Sequence, residues 1–416
     1  MVEDGRSSLR EVPILDLKNM KIISPLGRGA KGVVFLVRTE FPYKEFLALK
    51  VISKASVENK AVSRSKNDDY VFKRICIERE ILSRLHHPLL PTLRGVVETE
   101  QIIGYAIDYC PGRDLHSLRK KQTENMFSDD SIRFYAAELV LALEYLHGLG
   151  IVYRDLKPEN ILIQENGHLM LVDFDLSTKL SPPKSPQNLP ITTKPDPSKE
   201  EKKNKRLLCL PRCWNSGVLP TEETLCSNSV SSEHSSGSTT AAKSNSFVGT
   251  EEYIPPEIIQ GNGHEFAVDW WCLGIVLHEM LYGFTPFKGS NRKETFHRIL
   301  NKSPDLVGEQ TPLRNLIRKL LEKEPSKRIT GEEIKGHDFF KGVDWKSISE
   351  ISRPPYIPPV CDKDLNGNNE IDVEMFVNGV FKDENDKSLE NVKKTDNCNQ
   401  ILEFKGYHEA NPFFVF

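Results

Sequence analysis

A glycine-rich turn near the N-terminus constrains the fold of this chain more than any other stretch. Gly27, Gly29 and Gly32 follow the spacing GxGxxG, and the apolar run 33–37 comes directly after them. Glycine lets backbone amides approach a phosphate without a Cβ in the way. A dinucleotide-binding turn would open a helix here, whereas this run has the composition of a strand. The pattern predicts a strand–loop–strand lid over a mononucleotide and argues against a dinucleotide oxidoreductase; an ordinary flexible hairpin is the alternative.

A lysine inside the next predicted strand indicates the same kind of ligand. Lys50 lies in the apolar run 46–52, and a buried ammonium needs an anion nearby. Phosphate oxygens and a carboxylate from the helix predicted over 71–85 would meet this need. We expect Glu78 to be that carboxylate; Glu80, on another face of the helix, is the alternative. A side chain that reaches solvent from an edge strand is the competing interpretation.

A polar cluster in the middle of the chain carries groups suited to phosphoryl transfer. The sequence Tyr-Arg-Asp-Leu-Lys-Pro-Glu-Asn at 153–160 follows a helix predicted over 129–148. Asp155 could accept a proton from an attacking hydroxyl, Lys157 could hold a phosphoryl oxygen, and Asn160 could bind a metal ion. Taken alone, the cluster is as typical of a solvated loop.

An aspartate follows the second strand of a hairpin predicted over 161–172. Asp173 comes directly after an apolar run, where its carboxylate could chelate a hard cation that bridges phosphate oxygens. Mg²⁺ prefers one or two carboxylates together with phosphates. A turn or helix-capping aspartate is the alternative interpretation.

Composition sets broad limits. The chain has 416 residues, a formal net charge of -3 and no basic, apolar leader. These features predict a soluble intracellular protein of two or three units, with no general affinity for nucleic acid. The eight cysteines are irregularly spaced and are expected to be reduced. A zinc site at Cys209, Cys213, Cys226 and His234 is the alternative, although that spacing fits no standard motif.

Two segments differ in composition from the rest. Residues 177–245 are dense in Pro, Ser, Thr, Lys and Asn, and we expect most of them to be disordered. The tail 341–416 has a proline-rich start, an acidic polar middle and an aromatic end. Its stretch 362–367 matches half of a calcium-binding loop, but valine at 373 replaces the closing glutamate, so calcium binding is not expected.

The motifs together resemble the protein-kinase signature set in order and approximate spacing. The matching positions are 27–34, Lys50, Glu78, 153–160, 173–175, 256–257, 269–274 and Arg328. The resemblance covers roughly 21–340 and implies an α+β, bilobal protein-kinase fold. The implied parts are an N-terminal extension (1–20), a small β-rich N-lobe (about 21–110), a larger α-helical C-lobe (about 111–340) with a disordered insertion (about 178–243), and an AGC-type C-terminal tail (341–416).

The resemblance implies a role for each motif, with ATP and Mg²⁺ as cofactors. Asp155 would be the catalytic base, Lys157 would steady the γ-phosphoryl group, and Asn160 with Asp173 would hold Mg²⁺. The residues expected to bind ATP are Leu26, Gly27, Arg28, Gly29, Ala30, Lys31, Gly32, Val33, Val34, Ala48, Lys50, Glu78, Asp108, Cys110 and Leu162.

Finer features resemble one group of serine/threonine kinases. Tyr153 in place of the usual His is common in the AGC group, and Asp175 in place of Gly, with the long insertion, resembles the plant AGC VIII kinases. Within these, 28–37, 76–88 and 109–118 resemble the oxidative-signal-inducible kinases. That resemblance implies protein substrates, oxidative-stress and defence signalling, and mitogen-activated kinase cascade components as partners.

The resemblance also implies regulation at two places. Ser246 lies where AGC kinases are phosphorylated, and Arg154 would receive its phosphate. The aromatic residues Phe413 and Phe416 would dock beside the Glu78 helix, or on an activating phosphoinositide-dependent kinase. A linker serine and a frayed terminus are the respective alternatives.

The sequence also allows alternatives for the function, the partners and the location of the whole chain. A pseudokinase scaffold, which binds nucleotide and partners without catalysis, is the alternative function because Asp175 departs from the family pattern. The basic run 202–206 is typical of a nuclear address, an anionic-lipid contact or a solvated linker. We expect a cytoplasmic monomer, with the nucleus or the plasma-membrane periphery as further locations.

Overall fold

The computed structural model describes residues 12–29, 32–40, 44–54, 68–180, 250–263, 265–352, 354–359, 371–382 and 414–415. All of these residues belong to one compact unit. Within this unit, a small lobe built on a β-sheet precedes a larger helical lobe. The two-lobed α+β fold predicted from the sequence is therefore confirmed.

Five antiparallel strands form the sheet of the small lobe, because short apolar runs alternate with turns in this part of the sequence. The strands are Met20–Arg28 (β1), Gly32–Thr39 (β2), Phe46–Ser53 (β3), Leu93–Glu98 (β4) and Ile102–Asp108 (β5), in the sheet order β1-β2-β3-β5-β4. One helix, Asp68–Leu82 (α1), packs Ile75 against Ile52 and Ile103 of the sheet.

Two long helices form the centre of the large lobe. Asp129–Gly148 (α3) begins where the Ser128 side chain accepts a hydrogen bond from the amide of Ser131. Ala267–Tyr282 (α5) ends at Gly283, whose φ of 81° is easy for glycine. The shorter helices are Leu115–Lys120 (α2), Pro256–Ile259 (α4), Arg292–Asn301 (α6), Pro312–Leu320 (α7) and Gly331–Lys335 (α8).

Short strands hold the polar loop 153–160 between α3 and α5. They are Ile151–Val152 (β6), Ile161–Ile163 (β7), Leu169–Leu171 (β8) and Thr178–Lys179 (β9). Strand β6 pairs with β9, and β7 pairs with β8. The loop therefore lies between two paired segments, and the residues that follow β8 return to it.

The tail runs back along the large lobe toward the small one. The His168 imidazole contacts the carbonyl oxygen of Ile351 at 3.0 Å through Nε2 and the carboxylate of Glu138 at 2.5 Å through Nδ1. At Gly167, φ is 88° and a Cβ would lie 2.4 Å from the carbonyl oxygen of Tyr356. Glycine at this turn therefore lets the tail lie directly against the β7–β8 hairpin.

Further along, the tail forms two elements on the small lobe. Helix Val373–Lys382 (α9) packs on the sheet, and Phe414–Val415 (β10) pairs in parallel with β1 at Gly27 and Arg28. Neither element was predicted, since the acidic and polar surroundings of α9 hide its apolar spacing and β10 is only two residues long.

Several predicted elements have the expected bounds. Helix α3 matches its prediction residue for residue, and the hairpin predicted over 161–172 is formed. Helix α1 spans Asp68–Leu82 rather than the predicted 71–85. None of the helices in the described part of the chain is long and apolar enough to cross a membrane.

Candidate active site

The glycine-rich turn joins β1 to β2, so a strand and not a helix follows it. The amide of Gly29 donates to the carbonyl oxygen of Gly32 at 2.8 Å, which closes the turn. A Cβ at position 32 would lie 2.3 Å from the carbonyl oxygen of Val51, so only glycine fits there. Residues Ala30 and Lys31 lie outside the described residues. The strand–loop–strand lid predicted from the sequence is present.

Beneath the turn, one face of the small-lobe sheet is partly open. Val34 and Ala48 are half-buried, whereas their neighbours Val33, Phe35 and Leu49 are fully buried on the opposite face. Successive side chains of a strand point to opposite faces, so the open side chains share one surface. The other half-buried residues predicted to line it are Leu26 and Leu162.

The segment that links the two lobes borders this surface. The Asp108 carboxylate accepts from the amide of Thr92 at 2.8 Å and pairs with Arg94 at 2.6 Å. Cys110 is buried, its thiol lies 3.6 Å from the sulfur of Met170, and burial raises the pKa of the thiol far above its ordinary value. Both side chains therefore stabilise the segment that links the lobes. The backbone of 108–110 remains the part predicted to bind the adenine of ATP.

Lys50 lies between two carboxylates that come from different lobes. Its Nζ atom is 3.0 Å from Oε1 of Glu78 on α1 and 3.2 Å from Oδ1 of Asp173. Burial alone would lower the pKa of Lys50, but Asp173 and Glu78 raise it well above its ordinary value, so the ammonium stays charged. Glu80 instead pairs with Arg84 at 2.6 Å on the exposed face of the helix.

A buried carboxylate holds the backbone of the polar loop. Asp269 on α5 has no exposed surface, and its oxygens accept from the amides of Tyr153 and Arg154 at 2.9 and 2.8 Å. His147 lies 2.8 Å from the same carboxylate. Arg154 has φ of 72°, an unusual value for a residue with a Cβ. The charged acceptor therefore helps to stabilise a backbone shape that the loop would not favour by itself.

The three polar groups of the loop meet at Asp155. Lys157 Nζ is 3.0 Å from Oδ2 of Asp155, and Asn160 Nδ2 donates to the same oxygen at 2.9 Å. Burial raises the pKa of Asp155 above its ordinary value, and the Lys157 ammonium opposes that rise. The carboxylate is thus oriented by two donors, as a general base must be.

The oxygen atoms beside this loop suit a hard cation. Asn160 is buried, and its Oδ1 atom has no hydrogen-bond partner among the described residues. The amide of Val172 donates to the carbonyl oxygen of Asn160 at 3.0 Å, which places Asn160 next to the segment that carries Asp173. Burial would raise the pKa of Asp173, but Lys50 outweighs it and holds the pKa below the ordinary value. An ionised carboxylate and a free amide oxygen fit Mg²⁺.

The sequence departs from the kinase pattern at Asp175 and at Pro255, which stands in place of the usual Ala. Asp175 does not have a positive φ, whereas Asp173 has φ of 58°. Phe174 is buried and makes an edge contact with Tyr153, with ring centroids 5.4 Å apart. Pro255 has φ of -76°, within the range that proline adopts.

Arg154 of the polar loop contacts the segment that leads to the insertion. Its Nε donates to the carbonyl oxygen of Leu176 at 2.6 Å, and Ser177 Oγ donates to the carbonyl oxygen of Tyr153 at 3.1 Å. A second arginine, Arg74 on α1, reaches the carbonyl oxygen of Ser177 at 3.4 Å, and its Nη2 is buried without a partner among the described residues. The sequence did not predict a role for Arg74, because no local motif or spacing distinguishes it from other charged residues of the helix.

Several candidate residues lie outside the described part of the chain. They are Ser246, Phe413, Phe416, the cysteine and histidine set at 209–234, the basic run 202–206 and the acidic stretch 362–367. Within the described residues, no group of three or more His, Cys, Asp or Glu residues could hold a metal ion by itself.

Comparison with known proteins agrees with this geometry. The family model described as "Protein kinase domain" matches residues 20–194 and 228–340. This chain belongs to the protein kinase family. The kinase is 56% identical to serine/threonine-protein kinase OXI1 of Arabidopsis thaliana over 93% of this chain and 91% of that protein. It is 43% identical to serine/threonine-protein kinase UCN of the same plant, over 87% and 89% of the two chains.

A further relative comes from rice. The kinase is 41% identical to Phototropin-2 of Oryza sativa subsp. japonica, over 83% of this chain and 34% of that protein. Together, the relatives confirm the predicted resemblance to plant AGC-group serine/threonine kinases. Membership of the family implies, in general terms, the use of ATP and Mg²⁺ and protein substrates.

The Lys50–Glu78 pair makes a direct prediction. Glu78→Gln removes the charged partner from α1, so the lysine should shift toward Asp173 and hold ATP phosphates poorly. We expect kcat/KM for ATP to fall by about tenfold or more, since a hydrogen bond to a charged group is typically worth more than 1.4 kcal/mol. Steady-state kinetics of the purified kinase measures this. The matched control is Glu80→Gln on the same helix, and equal kinetics for the two variants would contradict the assignment.

Proposed function

We propose that this kinase transfers the γ-phosphoryl group of ATP to serine and threonine hydroxyls of proteins. One observation carries the proposal: Asp155, held by Lys157 and Asn160, lies in the same site as the Lys50–Asp173 pair that joins the lobes. A base for the hydroxyl and a cation for the phosphates are thus present together. The serine/threonine class is supported by Lys157, two residues after Asp155, and by the names of the relatives.

The residues divide the reaction between them. The acceptor hydroxyl oxygen attacks the γ-phosphorus, the bond to the β-phosphate oxygen breaks, and ADP leaves. Asp155 takes the hydroxyl proton, and Lys157 holds a γ-phosphoryl oxygen. Lys50 contacts the α- and β-phosphates and is positioned for this by Glu78. Asn160 and Asp173 would hold Mg²⁺, which would supply positive charge against the phosphate oxygens.

Residues beside the base form a small crevice that would border an acceptor side chain. A pocket next to Asp155 is lined by Thr250, Tyr253, Ile254 and Pro255, which follow the insertion. The segment is anchored by Glu257, whose carboxylate pairs with both outer nitrogens of Arg328 at 2.7 and 3.0 Å. This buried pair supports a fixed peptide-binding edge, which suits a protein substrate.

A pseudokinase is the less well supported alternative. Its only basis is Asp175, where φ is not positive although the family usually has Gly. Asp155, Asn160, Asp173 and Lys50 are all present with suitable partners.

Replacement of the base tests the catalytic proposal. Asp155→Asn removes the proton acceptor and should lower kcat by about 10²- to 10⁴-fold with little change in the KM for ATP. Phosphate incorporation from labelled ATP into a protein substrate provides the measurement. Asp130→Asn is the control, because Asp130 is a helix aspartate whose side chain is 89% exposed. Equal phosphate incorporation by wild type and Asp155→Asn would contradict the catalytic proposal and leave the pseudokinase scaffold as the remaining alternative.

We further propose that phosphorylation of Ser246 activates the kinase. Arg154 and Arg74 both approach the segment before the insertion, and the buried Nη2 of Arg74 offers a donor to a phosphate. Two arginines can order such a segment through charge-assisted hydrogen bonds.

Exchange of one serine tests the activation proposal. After co-expression with an upstream kinase, Ser246→Ala should have an activity lower by about tenfold or more, since no phosphate can pair with the arginines. Ser244→Ala is the matched control, because it lies two residues away in the same polar stretch. Undiminished turnover of purified Ser246→Ala refutes the idea.

The C-terminal aromatic residues support a docking role for the tail. We propose that Phe413 and Phe416 bind the activating phosphoinositide-dependent kinase, or the small lobe of this kinase, as aromatic side chains at a polar terminus suit a pocket. Replacing both by alanine should abolish capture by that kinase in a pull-down, whereas Phe404→Ala, also in the tail, should not. Capture that persists in the double variant would disprove docking through these residues.

The resemblance to the oxidative-signal-inducible kinases supports a proposal for the biological setting. We propose that the kinase acts in oxidative-stress and defence signalling, upstream of mitogen-activated kinases. An unchanged level of phosphorylated Ser246 in plant cells treated with hydrogen peroxide would argue against this setting.

A further inference from the structure

A buried pair of titratable groups lies in the large lobe, outside the active site. His168, in the turn of the β7–β8 hairpin, is 4% exposed, and Glu138 on α3 has no exposed surface. One oxygen of the Glu138 carboxylate lies 2.5 Å from Nδ1 of His168, and the other accepts from the amide of Leu169 at 2.9 Å. The pair therefore joins the hairpin to the central helix of the lobe.

The second ring nitrogen of His168 faces the tail. Its Nε2 atom lies 3.0 Å from the carbonyl oxygen of Ile351, so both ring nitrogens face oxygen acceptors. A neutral imidazole has one N–H and cannot donate to both oxygens. Both hydrogen bonds form only when a further proton lies between the pair, either on the imidazole or on the carboxyl group of Glu138. The geometry therefore matches a pair that holds a shared proton.

The other titratable groups near the pair come from all three elements packed against it. Two are tyrosines and two are carboxylates that are exposed to water, which screens their charges. They are Tyr135 on α3, Tyr356 of the tail, Glu165 of the hairpin turn and Glu350 before the tail contact. Burial raises the pKa of Tyr135, so its hydroxyl stays uncharged. Glu138 is therefore the charged group that governs the protonation of His168.

The two partners shift each other's titration. The hydrogen bond with Glu138 raises the pKa of His168 above its ordinary value, although burial opposes the rise. Burial raises the pKa of Glu138, and the hydrogen bond with His168 opposes that rise. A histidine of the unfolded chain titrates near about pH 6.5. The stabilisation by the shared proton is therefore complete below about pH 6.5 and is lost as pH rises through the raised pKa of the folded protein.

Loss of the proton leaves one N–H for two acceptors. A carboxylate is a stronger acceptor than a carbonyl group, so the N–H stays with Glu138 and the contact with Ile351 is lost. Beyond Ile351 the tail lies against the large lobe as far as the link between the lobes. A Cβ at Gly167 would lie 2.9 Å from Pro354, and a Cβ at Gly112 would lie 2.7 Å from Pro358. His168 thus holds the beginning of a segment that reaches the link.

We propose that the proton shared by His168 and Glu138 is a pH-sensitive latch that holds the tail segment from Ile351 to Pro358 against the large lobe. In acidic and neutral solution the latch is closed. In alkaline solution the carbonyl group of Ile351 is released, and the segment moves away from the β7–β8 hairpin. The latch goes beyond the proposed phosphoryl transfer and holds or fails independently of that activity, because it concerns the conformation of the tail.

Melting temperatures of the full-length kinase between about pH 6 and about pH 9 test the shared proton. We expect wild type to melt about 2 °C or more above His168→Gln at the acidic end, and this difference should shrink as pH rises. The matched control is His297→Gln, since His297 is exposed on α6, and it should melt like wild type throughout. A difference that does not change with pH would make His168 a structural contact only and overturns the proposal.

Release of the tail is measured directly with a trifluoromethyl-phenylalanine at position 357, where the native Ile357 is 53% exposed. Its fluorine resonance should move as pH rises in wild type and in His297→Gln, and should stay constant in His168→Gln. A constant resonance in wild type overturns the proposal, and this result needs no variant at His168. If His168→Gln does not fold, Glu138→Gln, which removes the carboxylate from the pair, is measured in its place with the same criteria.

Discussion

The ammonium of Lys50 is the group on which the rest of the site depends. It is a largely buried charge in a β-strand, and such a charge is stable only beside anions. Glu78 comes from the helix of the small lobe and Asp173 from the segment after β8 of the large lobe, so one lysine joins three separate parts of the chain. The two ion pairs that stabilise the fold also place the Lys50 ammonium where nucleotide phosphates would bind.

A second buried charge orders the other half of the site. The Asp269 carboxylate accepts two backbone amides of the polar loop, while Arg154 and Asp173 both have positive φ. Backbone shapes of this kind persist when surrounding contacts determine them, and they concentrate at functional sites. The orientation of Asp155 thus depends on a helix more than 100 residues further along the chain.

The tail acts on both lobes in different ways. In the large lobe it lies against the β7–β8 hairpin through Ile351 and Tyr356, close to the link between the lobes. In the small lobe, α9 covers the outer face of the sheet with Phe376 against Phe35. A segment that looks like a polar appendage in sequence therefore completes the core of the lobe that carries the glycine-rich turn.

Much of the fold and most of the site residues follow from the sequence, because their signals are local. The glycine turn, the apolar strand around Lys50, the capped helix Asp129–Gly148 and the loop 153–160 each depend on the spacing of nearby residues. Helical spacing places Glu78 and Glu80 on different sides of the helix, and the structure pairs Glu78 with Lys50.

Contacts between distant parts of the chain were decided only by the tertiary structure. The apolar runs of β2 and β3, interrupted in β3 by Lys50, predict strands with much buried surface, but they do not show what covers the outer face. That partner is α9, whose stripe of four apolar residues is ordinary in sequence and acquires meaning only against Phe35. The sequence alone determined which chemical groups the site contains; the tertiary structure decided which buried surfaces and charges hold them in place, because burial and pairing depend on neighbours that are remote along the chain.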